Sequence, residues 1–355
     1  MTIEWLAGNR IRGTSAEKPV ASLQSPSVGG WVEVGRFTAS GAVSSMPVTS
    51  LSDKRYYMYL SHYTSNADGQ RIEINSDTGS NYSQRFSTNG ASDSTGISQS
   101  NIVAGYGGSG LEEFNVGYIA NKSDKEKLTQ TFASSYGASG AGTAPNRREC
   151  TGKWANTSAA ISSFDFKPAT STFQSGAEVV VLGWDPADTH TTNFWEELGT
   201  FTNGTTTTDL TITSKKYLWI QGYTKGNGDG SGWRPAIKVG NTTISSSGYA
   251  NRESINGGAD GTYTSQGNMP ITSGGDTVGT FFNVFIINNA SNEKLAMGWS
   301  VNSSVAGAAT APIRQEFAHK WAQTSSQIDK LQVHRAVGSD SGLDADTIVK
   351  CWGSD

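Results

Sequence analysis

Two stretches of this chain are versions of one another. Ala144 to Trp154 reads APNRRECTGKW and Ala311 to Trp321 reads APIRQEFAHKW. Arg147, Glu149, Lys153 and Trp154 therefore recur 167 residues later as Arg314, Glu316, Lys320 and Trp321. Each stretch is followed by a strand-like spacing, Ile161-x-x-Phe164-x-Phe166 and Ile328-x-x-Leu331-x-Val333. Solenoid units repeat every 20–50 residues because each is a single supersecondary element, so a period this long marks a duplicated domain. A chain of 355 residues has room for two.

The rest of the chain divides accordingly. Residues 1–26 have no counterpart in the repeat; with Gly8, Gly13, Pro19 and Pro26 they read as an extended N-terminal arm. Domain 1 is expected over 27–185, a polar linker over 186–193 and domain 2 over 194–355. Trp31–Phe37 matches Trp195–Phe201, and Tyr56–Leu60 matches Tyr217–Ile220. Asn89-Gly90 and Asn256-Gly257 lie in a second repeated box and predict tight turns, since both residue types tolerate positive φ. Phe114-Asn-Val pairs with Phe282-Asn-Val, and each is followed by Glu-Lys-Leu, at 126–128 and 293–295. The closing runs Val179–Trp184 and Thr347–Trp352 lack alternation, as strands buried on both faces do.

Only 16% of residues are charged while 10% are aromatic, a composition of short apolar runs between small polar residues rather than of a disordered chain. The expected class is all-β: two tandem antiparallel β-sandwiches, jelly-roll-like, of about eight strands each. A short helix is expected after Pro145 and Pro312, where proline suits a first helical turn. Cys150 and Cys351 occupy unmatched positions, Cys351 aligning with Gly183, and are expected as buried free thiols. The N-terminus lacks a signal-peptide pattern and no apolar run approaches 20 residues, which predicts a soluble chain made in a reducing cytosol, with no membrane partner. A net charge of −4 offers no electrostatic basis for nucleic-acid binding.

The chemistry is sparse. Four histidines form no HExxH pair, and no nucleophile elbow or phosphate loop is present; no catalytic residue, metal site or cofactor is expected. The loops Gly226–Gly230 and Asn256–Gly261 lack the twelfth-position glutamate of a calcium loop and read as β-turns. Arg147, Glu149, Arg314 and Glu316 read as a structural brace or interface, with Glu149 and Glu316 too far apart, in separate domains, for joint acid–base work. Trp154 and Trp321 join them as buried indoles beside solvated Lys153 and Lys320. Tyr57, Tyr59, Trp184, Trp219 and Trp352 fall in expected core strands. Trp233 and Tyr106, in Gly-rich loops, are the aromatics placed for ligand contact, a sugar face being the natural partner.

The order Asn9-Arg-Ile-x-Gly13, Tyr82-x-x-Arg85-x-Ser87-x-Asn89-Gly90, Phe114-Asn-Val, Glu-Lys-Leu, the Ala-Pro-x-Arg-x-Glu box with its Lys-Trp, and Val179-Val-Val-Leu-Gly-Trp resembles virion structural proteins of marine tailed bacteriophages. The resemblance runs from Asn9 to Trp352. It implies a non-enzymatic capsid decoration or tail-associated component, made in the host cytoplasm and carried in the virion. Its partners would be other capsid or tail proteins and further copies of itself, in a homo-oligomer such as a trimer, with the N-terminal arm as a docking segment. The alternative is a spike or fibre module that binds a host receptor or surface glycan. A glycan-cleaving enzyme would need paired carboxylates about 5–10 Å apart, and the sequence nominates no such pair.

Overall fold

The computed structural model describes residues 30–65, 69–108, 110–186, 193–202, 209–226, 234–272, 278–303, 307–335 and 343–355. The expected arm, Trp233, residues 227–230 and most of the expected linker lie outside these residues.

The first sandwich contains β1 (Val32–Thr38), β2 (Met46–Val48), β3 (Tyr56–Thr64), β4 (Gln70–Ile74), β5 (Tyr82–Thr88), β6 (Ser94–Gln99), β7 (Ile102–Val103), β8 (Glu112–Ala120), β9 (Lys127–Ser135), β10 (Asn146–Trp154), β11 (Phe164–Pro168) and β12 (Glu178–Trp184). The second contains β13 (Glu196–Thr202), β14 (Leu210–Thr211), β15 (Tyr217–Thr224), β16 (Pro235–Asn241), β17 (Thr243–Ile244), β18 (Tyr249–Ile255), β19 (Gly261–Gln266), β20 (Met269–Pro270), β21 (Thr280–Ile287), β22 (Lys294–Asn302), β23 (Ile313–Trp321), β24 (Lys330–Arg335) and β25 (Ile348–Ser354). Each sandwich has one eight-stranded antiparallel sheet, ordered β1-β12-β3-β8-β9-β10-β5-β6 in the first and β13-β25-β15-β21-β22-β23-β18-β19 in the second. A smaller sheet covers each: β2-β11-β4-β7, and β14-β24-β16-β17 with β20 alongside β16.

No helix occurs among the described residues, so the helix expected after Pro145 and Pro312 is corrected to strands β10 and β23. Each proline stands just before the first strand residue, where its missing N–H costs no ladder bond. From there the pattern has period two. Cys150 and Trp154 turn into the core with Tyr57, Tyr59, Phe164 and Phe166, while Arg147, Glu149 and Lys153 alternate with them and take the outer face of the sheet. The strand count also exceeds the expected eight, because short strands such as β7, β14, β17 and β20 carry too few residues to show a period.

Two alignments read from sequence shift in space. Asn121 bonds the Lys54 carbonyl and the Ile161 N–H, as Asn288 bonds the Lys215 carbonyl and the Ile328 N–H. Phe114 therefore matches Phe281, not Phe282, and the repeated Phe-Asn-Val is coincidental. A one-residue slip exchanges faces: Phe282 fills the core of the second sandwich. In the closing strands Val181 lies opposite Tyr59 and Cys351 opposite Ile220. Cys351 thus matches Val181 rather than Gly183, a two-residue slip that keeps every side chain on its face and so leaves no trace in the hydrophobic pattern.

The absence of alternation in β12 has a direct cause. Val179 and Val181 belong to the core of the first sandwich, while Val180 and Leu182 join a separate cluster with Met58, Leu60, Phe114 and Val116 on the other face. That cluster continues into Tyr217, Phe285, Ile287, Leu295 and Met297 of the second sandwich. The two large sheets are stacked by their outer faces. Phe132 and its match Trp299 stack on each other with ring centroids 4.9 Å apart, as residues beside a local twofold axis do. Phe194 and Trp195, just before β13, fill the layer between the sheets, touching each other, Tyr217, Trp219 and Phe285.

Candidate functional site

The two repeated boxes form one device. Asn89 Oδ1 accepts the Arg147 N–H at 2.9 Å, and the Asn89 N–H donates to the Arg147 carbonyl at 3.0 Å. Asn256 treats Arg314 identically, at 3.0 and 2.9 Å. Both asparagines hold φ near +50°, 52° and 54°, and the glycines after them 69° and 73°. The turn aims its amide at the start of β10 or β23, fixing the backbone of the arginine.

From that fixed point Arg147 reaches into the second sandwich. Its Nη2 lies 2.8 Å from Asp260 Oδ1 and its Nε donates to Oδ2 at 3.0 Å, a two-pronged pair with the Asp260 side chain 2% exposed. The Nη1 contacts Glu149 and stands 3.9 Å from Glu316 Oε2. The expectation that Glu149 and Glu316 are remote is therefore corrected: face-to-face stacking brings homologous residues together, and both carboxylates turn to one guanidinium. Arg314 pairs with its neighbour Glu316, at 3.1 Å, and its side chain is 61% exposed. Arg252 completes the cluster, donating to the Pro145 carbonyl at 2.6 Å; burial lowers its pKa despite Asp260 beside it.

The same division governs the Glu-Lys-Leu boxes. Lys153 and Glu126 pair at 2.9 Å in solvent. Their matches Lys320 and Glu293 lie between the sandwiches, where Lys320 donates to the carbonyls of Tyr136 and Ala138 and Glu293 accepts the Gly140 N–H. The expectation of a solvated Lys320 is corrected; its side chain is 0% exposed, and burial lowers its pKa. Lys127 and Lys294 point to the other side and bind loop carbonyls, including those of the matched Asn156 and Gln323.

At the neighbouring edge, Glu178 accepts from Thr38, Lys216 and the Tyr217 hydroxyl, the last at 2.7 Å. Burial alone would raise this carboxyl, but Lys216, Tyr217 and Thr38 hold it at about 2. His62 has Nε2 2.5 Å from Glu112 and Nδ1 3.0 Å from the Asn289 amide of the second sandwich. Both ring nitrogens are thus engaged by side chains, one from each sandwich. These groups border a polar hollow of about 570 Å³ lined by Thr38, His62, Gln174, Lys216, Asn289 and Asn292.

Of the other residues singled out from sequence, Trp154 and Trp321 are buried and stack on Tyr82 and Tyr249 in the same way, 6.4 Å at 20° and 6.4 Å at 21°. Tyr106 is half-buried below the Arg148 guanidinium, with its N–H given to Glu113, so its ring braces a loop. Trp233 lies outside the described residues. Tyr57 and Tyr59 are in the core, as expected, whereas Trp184, Trp219 and Trp352 are corrected to the outer faces, half-buried. Alternation places them opposite the core side of the same strands. Asp260, Glu178, Glu293 and His62 were not singled out by sequence; the only signal for Asp260 is its match to Asp93 within the Asn-Gly box.

Among the described residues no group of three or more His, Cys, Asp or Glu is placed to hold a metal ion, and no helix is long and apolar enough to cross a membrane. No protein-family profile matches the chain, and no curated protein matches it. Solved structures overlap it only loosely. Ail, the attachment invasion locus protein of Yersinia pestis, gives 5% identity over 79% of this chain and 99% of its own, with a TM-score of 0.12. Neisserial surface protein A gives 8%, 79%, 98% and 0.11. A point mutant of HCR D/C VPI 5995 gives 10%, 82%, 87% and 0.19. Scores of this size establish no common fold.

Proposed function

We propose that this chain is a non-enzymatic structural protein of a tailed-phage virion, a capsid decoration or tail-associated component that works by protein–protein assembly. The observation that supports this reading is the use made of the repeated charges. Arg147, Glu316, Lys320 and Glu293 all make contacts from one sandwich to the other, giving a braced double sandwich whose remaining asset is surface. The motif order that resembles marine phage virion proteins supplies the setting. The test is a labelled antibody against the chain on intact particles, viewed by electron microscopy. Regular labelling of capsid or tail is expected; particles that carry none of the chain, or depolymerase activity of the purified protein, would overturn the reading.

A receptor- or glycan-binding module is the second reading. It draws on a hollow of about 470 Å³ between the sandwiches, where Tyr118, Phe132, Phe281 and Trp299 adjoin Gln130, Arg314 and Glu316, aromatic faces beside planar polar groups. Glycan-array binding that disappears in Phe281→Ala would favour it.

A further inference from the structure

The stacking of the two large sheets is a twofold contact of which only half is made. One row of outer-face residues on the first sheet runs Glu178–His62–Phe114–Ser134–Arg147 across five paired strands. It meets the row Ser354–Tyr217–Ile287–Leu295–Lys320 of the second, with Phe114 against Tyr217 and Glu178 on the Tyr217 hydroxyl. A twofold contact uses each surface twice. The matched rows are Trp184–Tyr56–Ala120–Leu128–Lys153 on the first sheet and Ile348–Tyr223–Phe281–Val301–Arg314 on the second. These do not close. Tyr217 and Leu295 are 0% exposed, but their matches Tyr56 and Leu128 are 38% and 58% exposed; Phe114 is 0% exposed and its match Phe281 44%. Six of the eight exposed large hydrophobic side chains among the described residues stand in these two rows. Apolar exposure gathered in this way marks a surface with an occupant.

The closed half shows what kind of element fills such a gap. Phe194 and Trp195, the residues leading into β13, are packed in the layer between the sheets. The matched position leading into β1 is Gly30-Trp31. The Trp31 ring already lies on the open wall, against Trp184 and Tyr118. With Tyr56, Leu128 and Gln130 it lines a hollow of about 420 Å³ that shares Tyr118 and Gln130 with the 470 Å³ hollow at Phe281. The 29 residues before Gly30 therefore join the fold at the lip of this cleft, and they include Ile3, Trp5, Leu6 and Ile11. Even a few of them suffice, since an extended chain spans about 3.3 Å per residue.

We infer that the N-terminal segment, residues 1–29, occupies the open half of the intersheet cleft of its own chain, covering Tyr56, Leu128, Phe281 and Val301 as Phe194 and Trp195 cover the closed half. The inference does not depend on the virion reading. It is tested in the full chain by placing the photo-crosslinker p-benzoylphenylalanine at Phe281 in one variant and at Leu128 in another, with Ile97, exposed on β6, as the control position. After irradiation the expected products keep the monomer mass and carry crosslinks to peptides from residues 1–29 at both test positions, with none at Ile97. The yield is expected not to change on dilution. Crosslinks to a second copy, visible as a dimer band, would overturn the inference, as would crosslinks that avoid residues 1–29. Glycan binding at Phe281 with the full arm present would also count against it.

Discussion

Arg147 and Asp260 hold the two sandwiches together through paired hydrogen bonds, Nη2 to Oδ1 and Nε to Oδ2, with 8% and 2% of their side chains exposed. Removing one partner strands the other charge in a buried site. Arg147→Ala and Asp260→Ala are each expected to lose about 3 kcal/mol of stability in urea unfolding, while Arg314→Ala, at the matched but exposed position, stays within about 0.5 kcal/mol. Equal losses at Arg147 and Arg314 would show that the pair is not the fastening.

Gly90 and Gly257 test the same asymmetry through the backbone. Both have positive φ, so alanine at either costs about 1 kcal/mol. At Gly257 the added carbon meets only the flexible Arg314 Nη2, at 3.1 Å; at Gly90 it meets the Asp260 carboxylate and, at 2.8 Å, its backbone nitrogen. Gly90→Ala should lower the melting temperature clearly further than Gly257→Ala.

Glu178 makes stability acid-sensitive. Its folded pKa of about 2 lies below the ordinary glutamate value, so its contribution is complete above about pH 4.3 and is lost as pH falls towards 2. The stability gap between the native protein and Glu178→Gln should narrow across that interval. A gap that stays constant would contradict the assignment.

Lys294 acts at the alkaline end with the opposite sign. Burial lowers its pKa to about 8, against the pull of Glu112 and Glu293. The folded state then releases its proton before the unfolded state does, and this group adds stability as pH rises from about 8 to 10.4. The rise should be reduced in Lys294→Met, measured by denaturant unfolding at each pH.

Cys150 and Cys351 are free, buried thiols whose pKa burial pushes up to about 12. Iodoacetamide at pH 8 should leave the native protein unlabelled and add two groups after denaturation, since the thiolate is the reactive form. Labelling of the native chain would mean that a strand carrying one of them opens.

The legible part of this molecule was whatever a period-two pattern or a long identity could carry. Domain duplication, the all-β class and the inward turn of Trp154 and Trp321 follow from residues that act within their own sandwich. The partners of Arg147 do not, because Asp260 is more than a hundred residues away and its match Asp93 pairs instead with Arg85 of its own sandwich. Sequence cannot tell Lys153 from Lys320 either: the boxes are alike, and only sheet stacking buries one of them. The shifted matches at Phe114 and Cys351 have a similar root. A repeated tripeptide outweighed strand register in one case, and in the other an even slip left the pattern intact.

The stack of Phe132 on Trp299 carries a consequence for how the chain can change. In a pair of identical subunits, a substitution beside the axis is experienced on both sides at once, and no residue can alter without altering its own partner. Joining the two units in a single polypeptide removes that coupling. Phenylalanine can face tryptophan, and one lysine can be sealed inside while its twin stays wet. Every position in the contact acquires an independent history.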